Sequence, residues 1–96
     1  MLILVTYDVN TENDAGKKRL RKVAKVCIQY GIRVQNSVFE CNVDASQMKL
    51  LRKAVIDEID PHKDSVRFYN LGNKYAGKVE SYGKSTIKDQ EGVLIF

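Results

Sequence analysis

The residues best suited to chemistry lie in the first half of a chain of 96 residues. Asp8 closes the apolar run Leu2-Ile-Leu-Val-Thr-Tyr7. A carboxylate at the end of a buried strand is an oxygen ligand for a hard cation such as Mg²⁺, or a cap for the helix that follows. Residue types alone leave both roles open. Six of the nine residues from 17 to 25 are basic: Lys17, Lys18, Arg19, Arg21, Lys22 and Lys25. With Arg33 they make seven basic residues between Ala15 and Phe39, a stretch with no carboxylate. A merely solvated helix face mixes both signs, so the missing acids favour contact with phosphates over simple solubility. In Arg33-Val-Gln-Asn-Ser-Val-Phe39, strand alternation predicts Arg33, Gln35, Ser37 and Phe39 on one face unless a bulge intervenes. Arginine, glutamine and serine contact phosphate and sugar. Phe39, like Tyr7, either packs in the core or stacks on a base.

Other chemistries find no support. His62 stands alone beside Pro61 in a turn-like stretch, and Cys27 and Cys41, 14 positions apart, match neither zinc nor C-x-x-C spacing. Two buried free thiols are expected instead. No Ser-His-Asp set and no glycine-rich phosphate loop occurs. The apolar runs are far below the ~18–20 residues of a membrane span, and the first residues resemble a strand rather than a secretion signal. A cytoplasmic chain with no membrane partner is therefore expected. The net charge of +4 is mild and conceals the concentrated positive stretch.

These residues need elements to position them. Leu2–Asp8 is apolar on both faces, which predicts a central strand. The polar cluster Val9–Asp14 leads into a helix reaching about Tyr30, with Leu20, Val23, Ala24, Cys27 and Ile28 as its buried stripe. Gly31 is expected just past that helix in a left-handed conformation. Ile32–Val43 is too long for one strand and predicts two, broken near Asn36-Ser37. Asp44 and Gln47 form a capping-box pattern for a second helix through Ile59, with Ala45, Met48, Leu51, Val55 and Ile59 inward. Ser65–Leu71 is a further strand. The order β-α-β-β-α-β predicts a single α+β domain of ferredoxin-like type with its core in about residues 1–71. A tail over about 72–96 holds Gly72, Gly77, Gly83 and Gly92, and it ends in an extra strand-like run Val93–Phe96.

The strand ending in Tyr7-Asp8, the stretch Gly16-Lys-Lys-Arg-Leu-Arg-Lys-Val-Ala-Lys25 and the stretch Tyr30-Gly-Ile-Arg-Val-Gln-Asn-Ser-Val-Phe-Glu-Cys41 together resemble CRISPR-associated protein 2. The resemblance covers essentially the whole chain. It implies a ferredoxin-like homodimer, and the apolar tail, with no obvious partner in its own sheet, is expected to pair across the two-fold axis. It also implies an endonuclease dependent on Mg²⁺ or Mn²⁺, with double-stranded DNA or single-stranded RNA as substrate. The implied partner is the integrase subunit, CRISPR-associated protein 1, during spacer acquisition. By the same resemblance Asp8 is the catalytic and metal-binding residue, and Arg19, Arg33, Gln35 and Ser37 match the family's basic helix and Arg-x-Gln-x-Ser motif. A non-catalytic DNA scaffold and a toxin-like endoribonuclease remain the competing expectations.

Overall fold

Alternating inward residues on four strands and inward stripes on two helices make this chain a two-layer structure. In the computed structural model the described residues are 1–73 together with Glu80 and Tyr82. The expected tail strand at Val93–Phe96 and the glycines Gly77, Gly83 and Gly92 lie outside them. The elements are β1 (Leu2–Asp8), α1 (Asp14–Ile28), β2 (Gly31–Gln35), β3 (Val38–Asn42), α2 (Ala45–Glu58) and β4 (Ser65–Gly72). The strands form one antiparallel sheet in the order β2-β3-β1-β4, the ferredoxin-like arrangement expected. β1 is central, as its two apolar faces require.

The register sorts the side chains. Ile3, Val5 and Tyr7 share a face with Phe39 and Cys41, and this face joins Val23 and Cys27 of α1 and Met48, Leu51 and Val55 of α2 in the core. Leu4, Thr6 and Asp8 point to the opposite face by the two-residue period of the strand. Helix α2 starts as its sequence predicts: the Gln47 amide donates to Asp44 Oδ1 at 2.7 Å and the Asp44 amide donates to Gln47 Oε1 at 2.9 Å. Cys27 and Cys41 are free and buried, also as expected. Burial pushes both thiols up, Cys27 to about 12 and Cys41 to about 11, which leaves them inert at neutral pH.

Several expectations change. Helix α1 ends at Ile28 rather than near Tyr30, and Ile28 is 59 % exposed, outside the buried stripe. Ala45, at the first turn of α2, is likewise exposed. Gly31 is not left-handed; it opens β2 opposite Cys41, where a Cβ would lie 2.3 Å from the Glu40 carbonyl oxygen and 2.5 Å from Cys41 Sγ. Its value is the close approach of two strands, and a side chain there would push β2 off the sheet. The glycine that needs left-handed freedom is Gly72, with φ of 85°, at the end of β4.

Candidate nucleic-acid and metal site

Asp8 sits at the last position of β1, exposed, opposite Ser65 at the first position of β4. The helix-capping alternative does not apply to it. Asn13 caps α1, its side chain accepting from the Gly16 amide at 2.9 Å. Among the described residues no hydrogen bond or ion pair engages the Asp8 side chain. The carboxylate is free to meet a ligand.

The same end of the sheet gathers several of the other predicted residues. The β2–β3 turn reaches it: the Tyr7 amide donates to the Ser37 carbonyl at 3.1 Å, and the Tyr7 hydroxyl donates to the Asn36 carbonyl at 3.4 Å. Ser37 lies in that turn and Gln35 at its exposed entrance. Helix α1 also begins at this end, six residues after Asp8, which places Lys17 at its first turn. Lys17, Lys18, Arg21, Lys22 and Lys25 are all exposed. They follow the helix away from Asp8 and make a positive strip along its outer side.

The alternation expected holds for Arg33 and Phe39 but not for Gln35. A bulge between Arg33 and Gln35 breaks the shared face: Arg33 pairs with Phe39 on the helix side, whereas Gln35 pairs with Val38 on the other side. Phe39 is fully buried and stacks on Tyr7 at 6.2 Å between ring centroids, so both aromatics belong to the core and neither presents a face to a base. Arg33 lies over the Phe39 ring at 5.1 Å, and its buried Nε has no hydrogen-bond partner. Burial raises the Tyr7 hydroxyl's pKa, and the Arg33 charge beside it opposes that rise.

Arg19 is engaged inside the protein. Its Nε donates to Asp64 Oδ2 at 2.8 Å and its Nη2 to Asp64 Oδ1 at 3.3 Å. The Asp64 side chain is completely buried. Burial pushes the Asp64 carboxyl up, but the Arg19 fork, the Asp60 and Asn10 amides and the Arg19 charge overcome this and hold it down at about 2. Asp64 was not among the residues expected to matter. Its signal is faint: one acid in an acid-rich turn, 45 positions from the arginine it pairs with.

Could these residues hold a divalent cation? Asp8 supplies a hard, unengaged oxygen donor, the type Mg²⁺ and Mn²⁺ take. Among the described residues no group of three or more His, Cys, Asp or Glu side chains comes together. A cation held mainly through Asp8 would keep most of its waters.

Comparison with known proteins fits this layout. The family model for CRISPR associated protein Cas2 matches residues 1–79. The chain belongs to the Cas2 family. A CRISPR-associated endoribonuclease Cas2 of Chlorobaculum tepidum is 57 % identical over 95 residues, covering 99 % of both chains. A CRISPR-associated endonuclease Cas2 of Halalkalibacterium halodurans is 55 % identical over 96 residues, the full length of both. The crystal structure of Streptococcus pyogenes Cas2 at pH 6.5 is 53 % identical with a TM-score of 0.77, covering 86 % of this chain and all of that one. Cas2 relatives thus bear nuclease names, and the enzyme class expected from the sequence, a nuclease, stands with them. No helix among the described residues is long and apolar enough to cross a membrane.

Proposed function

We propose that this Cas2-family chain acts as a two-fold dimer that hydrolyses phosphodiester bonds, with Asp8 holding Mg²⁺ or Mn²⁺ and the outer side of α1 holding the nucleic-acid backbone. The observation that carries the reading is the state of Asp8. It is an exposed carboxylate at the end of the central strand, and Asn13 has taken the capping work it would otherwise do. A two-fold axis near β1 would bring two copies of Asp8 to one place, matching a cation that takes one or two carboxylates.

Lys17, Lys18, Arg21 and Lys22 hold phosphates by charge and carry no base-reading geometry, so binding is indifferent to sequence. Asp8 fixes where the cation stands relative to those phosphates. When bound, the cation supplies Lewis-acid stabilisation of the charge building on the phosphoryl oxygens. If four to six phosphates are neutralised, log affinity for duplex DNA falls against log salt with a slope of about −4 to −5. The biological setting proposed is CRISPR spacer acquisition beside the integrase subunit, CRISPR-associated protein 1.

The relatives' names divide between endoribonuclease and endonuclease, so single-stranded RNA and double-stranded DNA are the two substrates to test. The exposed basic strip of α1, which needs no metal to hold phosphates, supports a second reading, a DNA scaffold for the integrase. Asp8→Asn decides between them. Loss of Mg²⁺-dependent cleavage and of spacer acquisition in cells, with dimer and integrase binding intact, supports the enzyme. Retained acquisition supports the scaffold. A monomer by light scattering at tens of micromolar would remove the dimer.

A further inference from the structure

The Asp64 carboxylate accepts four hydrogen bonds: Arg19 Nε at 2.8 Å, Arg19 Nη2 at 3.3 Å, the Asn10 amide at 2.9 Å and the Asp60 amide at 2.8 Å. That saturates a carboxylate, which offers about four lone-pair sites. The Asp64 amide in turn donates to the Asp60 carbonyl at 2.7 Å, closing the turn that carries it. A buried ion pair is a poor source of stability compared with apolar packing, so its presence under a surface loop calls for a reason.

The reason lies in what the four donors belong to. Asn10 stands two residues beyond Asp8, and Ser65, which pairs with Asp8 across the ladder, directly follows Asp64. Asp64 therefore ties the residue two beyond Asp8 to the start of the strand paired with Asp8. Arg19 brings α1 to the same point. The segment between Asp8 and α1 is fastened from its other side as well. A Cβ at buried Gly16 would lie 1.9 Å from the Asn10 carbonyl oxygen, so the helix rests directly on that peptide. Asn10 Oδ1 also accepts from the Glu12 amide at 2.9 Å. Nothing in this set is part of the exposed basic strip.

We infer that Asp64, through Arg19 and the Asn10 amide, is a positioning residue that fixes the Asp8 carboxylate relative to the phosphate-binding start of α1. This rests on the reading of Asp8 and α1 given under Proposed function. The arrangement couples two jobs. The cation-holding carboxylate ends a strand, the phosphate-holding lysines start a helix, and a connection free to shift would blur the distance between them. A misplacement of about 1 Å can cost a reaction about 10²-fold even when every reacting group is present.

The test uses the full chain with Asp64→Asn and Arg19→Lys. The first keeps an acceptor but loses the charge and the fork; the second leaves both backbone amides paired. Amide hydrogen exchange is followed at residues 9–13 and, in the same sample, at Phe39–Cys41 of β3. Cleavage rate with Mg²⁺ and duplex or RNA affinity in EDTA are measured beside it. In Asp64→Asn, exchange at residues 9–13 should rise about tenfold or more with β3 unchanged, as expected for local opening. Its kcat should fall about tenfold or more while Kd stays within about twofold, since the exposed lysines are untouched. Arg19→Lys should fall between Asp64→Asn and the parent in both exchange and rate. The inference is overturned by unchanged exchange at residues 9–13, by equal loosening of β3, or by a loosened segment with an unchanged kcat. If Asp64→Asn does not fold, Arg19→Lys decides by the same criteria. A parent without Mg²⁺-dependent cleavage, or an Asp8→Asn variant that cleaves like the parent, would remove the earlier reading instead. The exchange result would still show whether Asp64 fixes the segment.

Discussion

Asp8 and Asp64 flank the same corner of the sheet and could hardly be treated more differently. Asp8 is exposed and unengaged; Asp64 is buried beneath four donors. A carboxylate that the fold uses is dried and saturated, because a buried charge with an unmet lone pair costs about 1–3 kcal/mol or more. A carboxylate that the fold does not use can stay wet, and the chain gains no stability from it. Acids of the second kind at a strand end are the ones to examine for chemistry.

The comparison breaks first at Asp8. Asp8→Asn should lower Mg²⁺-dependent cleavage by about 10²–10³-fold, the loss of a few kcal/mol of charge stabilisation. The melting temperature should move by no more than a degree or two, because no structural bond is lost. A large drop in melting temperature would mean that Asp8 also holds the fold.

Asp64→Ala should do the reverse in stability. It strands the Asn10 and Asp60 amides and leaves the Arg19 guanidinium without its partner. The expected cost is about 3 kcal/mol or more, read by urea unfolding with Asp8→Asn as the control. Equal costs for the two variants would erase the distinction.

Gly16→Ala should sit below that. The added methyl must displace the Asn10 carbonyl, which is backbone and cannot swing aside. Overpacking of this kind costs about 1–3 kcal/mol, partly offset by the roughly 1 kcal/mol by which alanine outperforms glycine within a helix. A stabilised variant, by the same unfolding measurement, would show that the α1–Asn10 contact is slack.

How legible was all this in the residues? The strand order follows from local signals: two apolar faces put β1 in the middle, and the Asp44/Gln47 pattern starts α2 with both predicted bonds in place. The hairpin break at Asn36-Ser37 was readable despite the absence of glycine, because a strand of twelve residues is rarely continuous. What a linear pattern cannot carry is pairing at a distance. Arg19 belongs to the basic strip by sequence and to Asp64 by structure, since only the packed fold brings the α2–β4 turn beneath α1. The bulge after Arg33 escapes alternation for the same reason: register is set by the partner strand. Gly31 has the position of helix punctuation in the sequence, but the neighbouring strand is what excludes a side chain.

The finest separation is between two buried acids with opposite titrations. The Asp64 carboxyl is held down at about 2 against an ordinary value of 3.8, and its contribution is present above that ordinary value. It is lost as pH falls through about 4 towards 2, because the unfolded chain takes up the proton first. Glu40, on the opposite face of the sheet from Asp64's helix partner, has a buried Oε1 with no hydrogen-bond partner. Burial raises its pKa above the ordinary 4.5, so the folded chain takes up that proton first. Stability should therefore rise slightly as pH falls towards 4.5 and then drop below 4. Urea unfolding from pH 7 to pH 2.5 measures both limbs. Glu40→Gln should flatten the upper limb alone and Asp64→Asn the lower one alone. If Asp64→Asn keeps the parent's full acid drop, the carboxylate is not the group that the fold depends on, and its contrast with Asp8 fails.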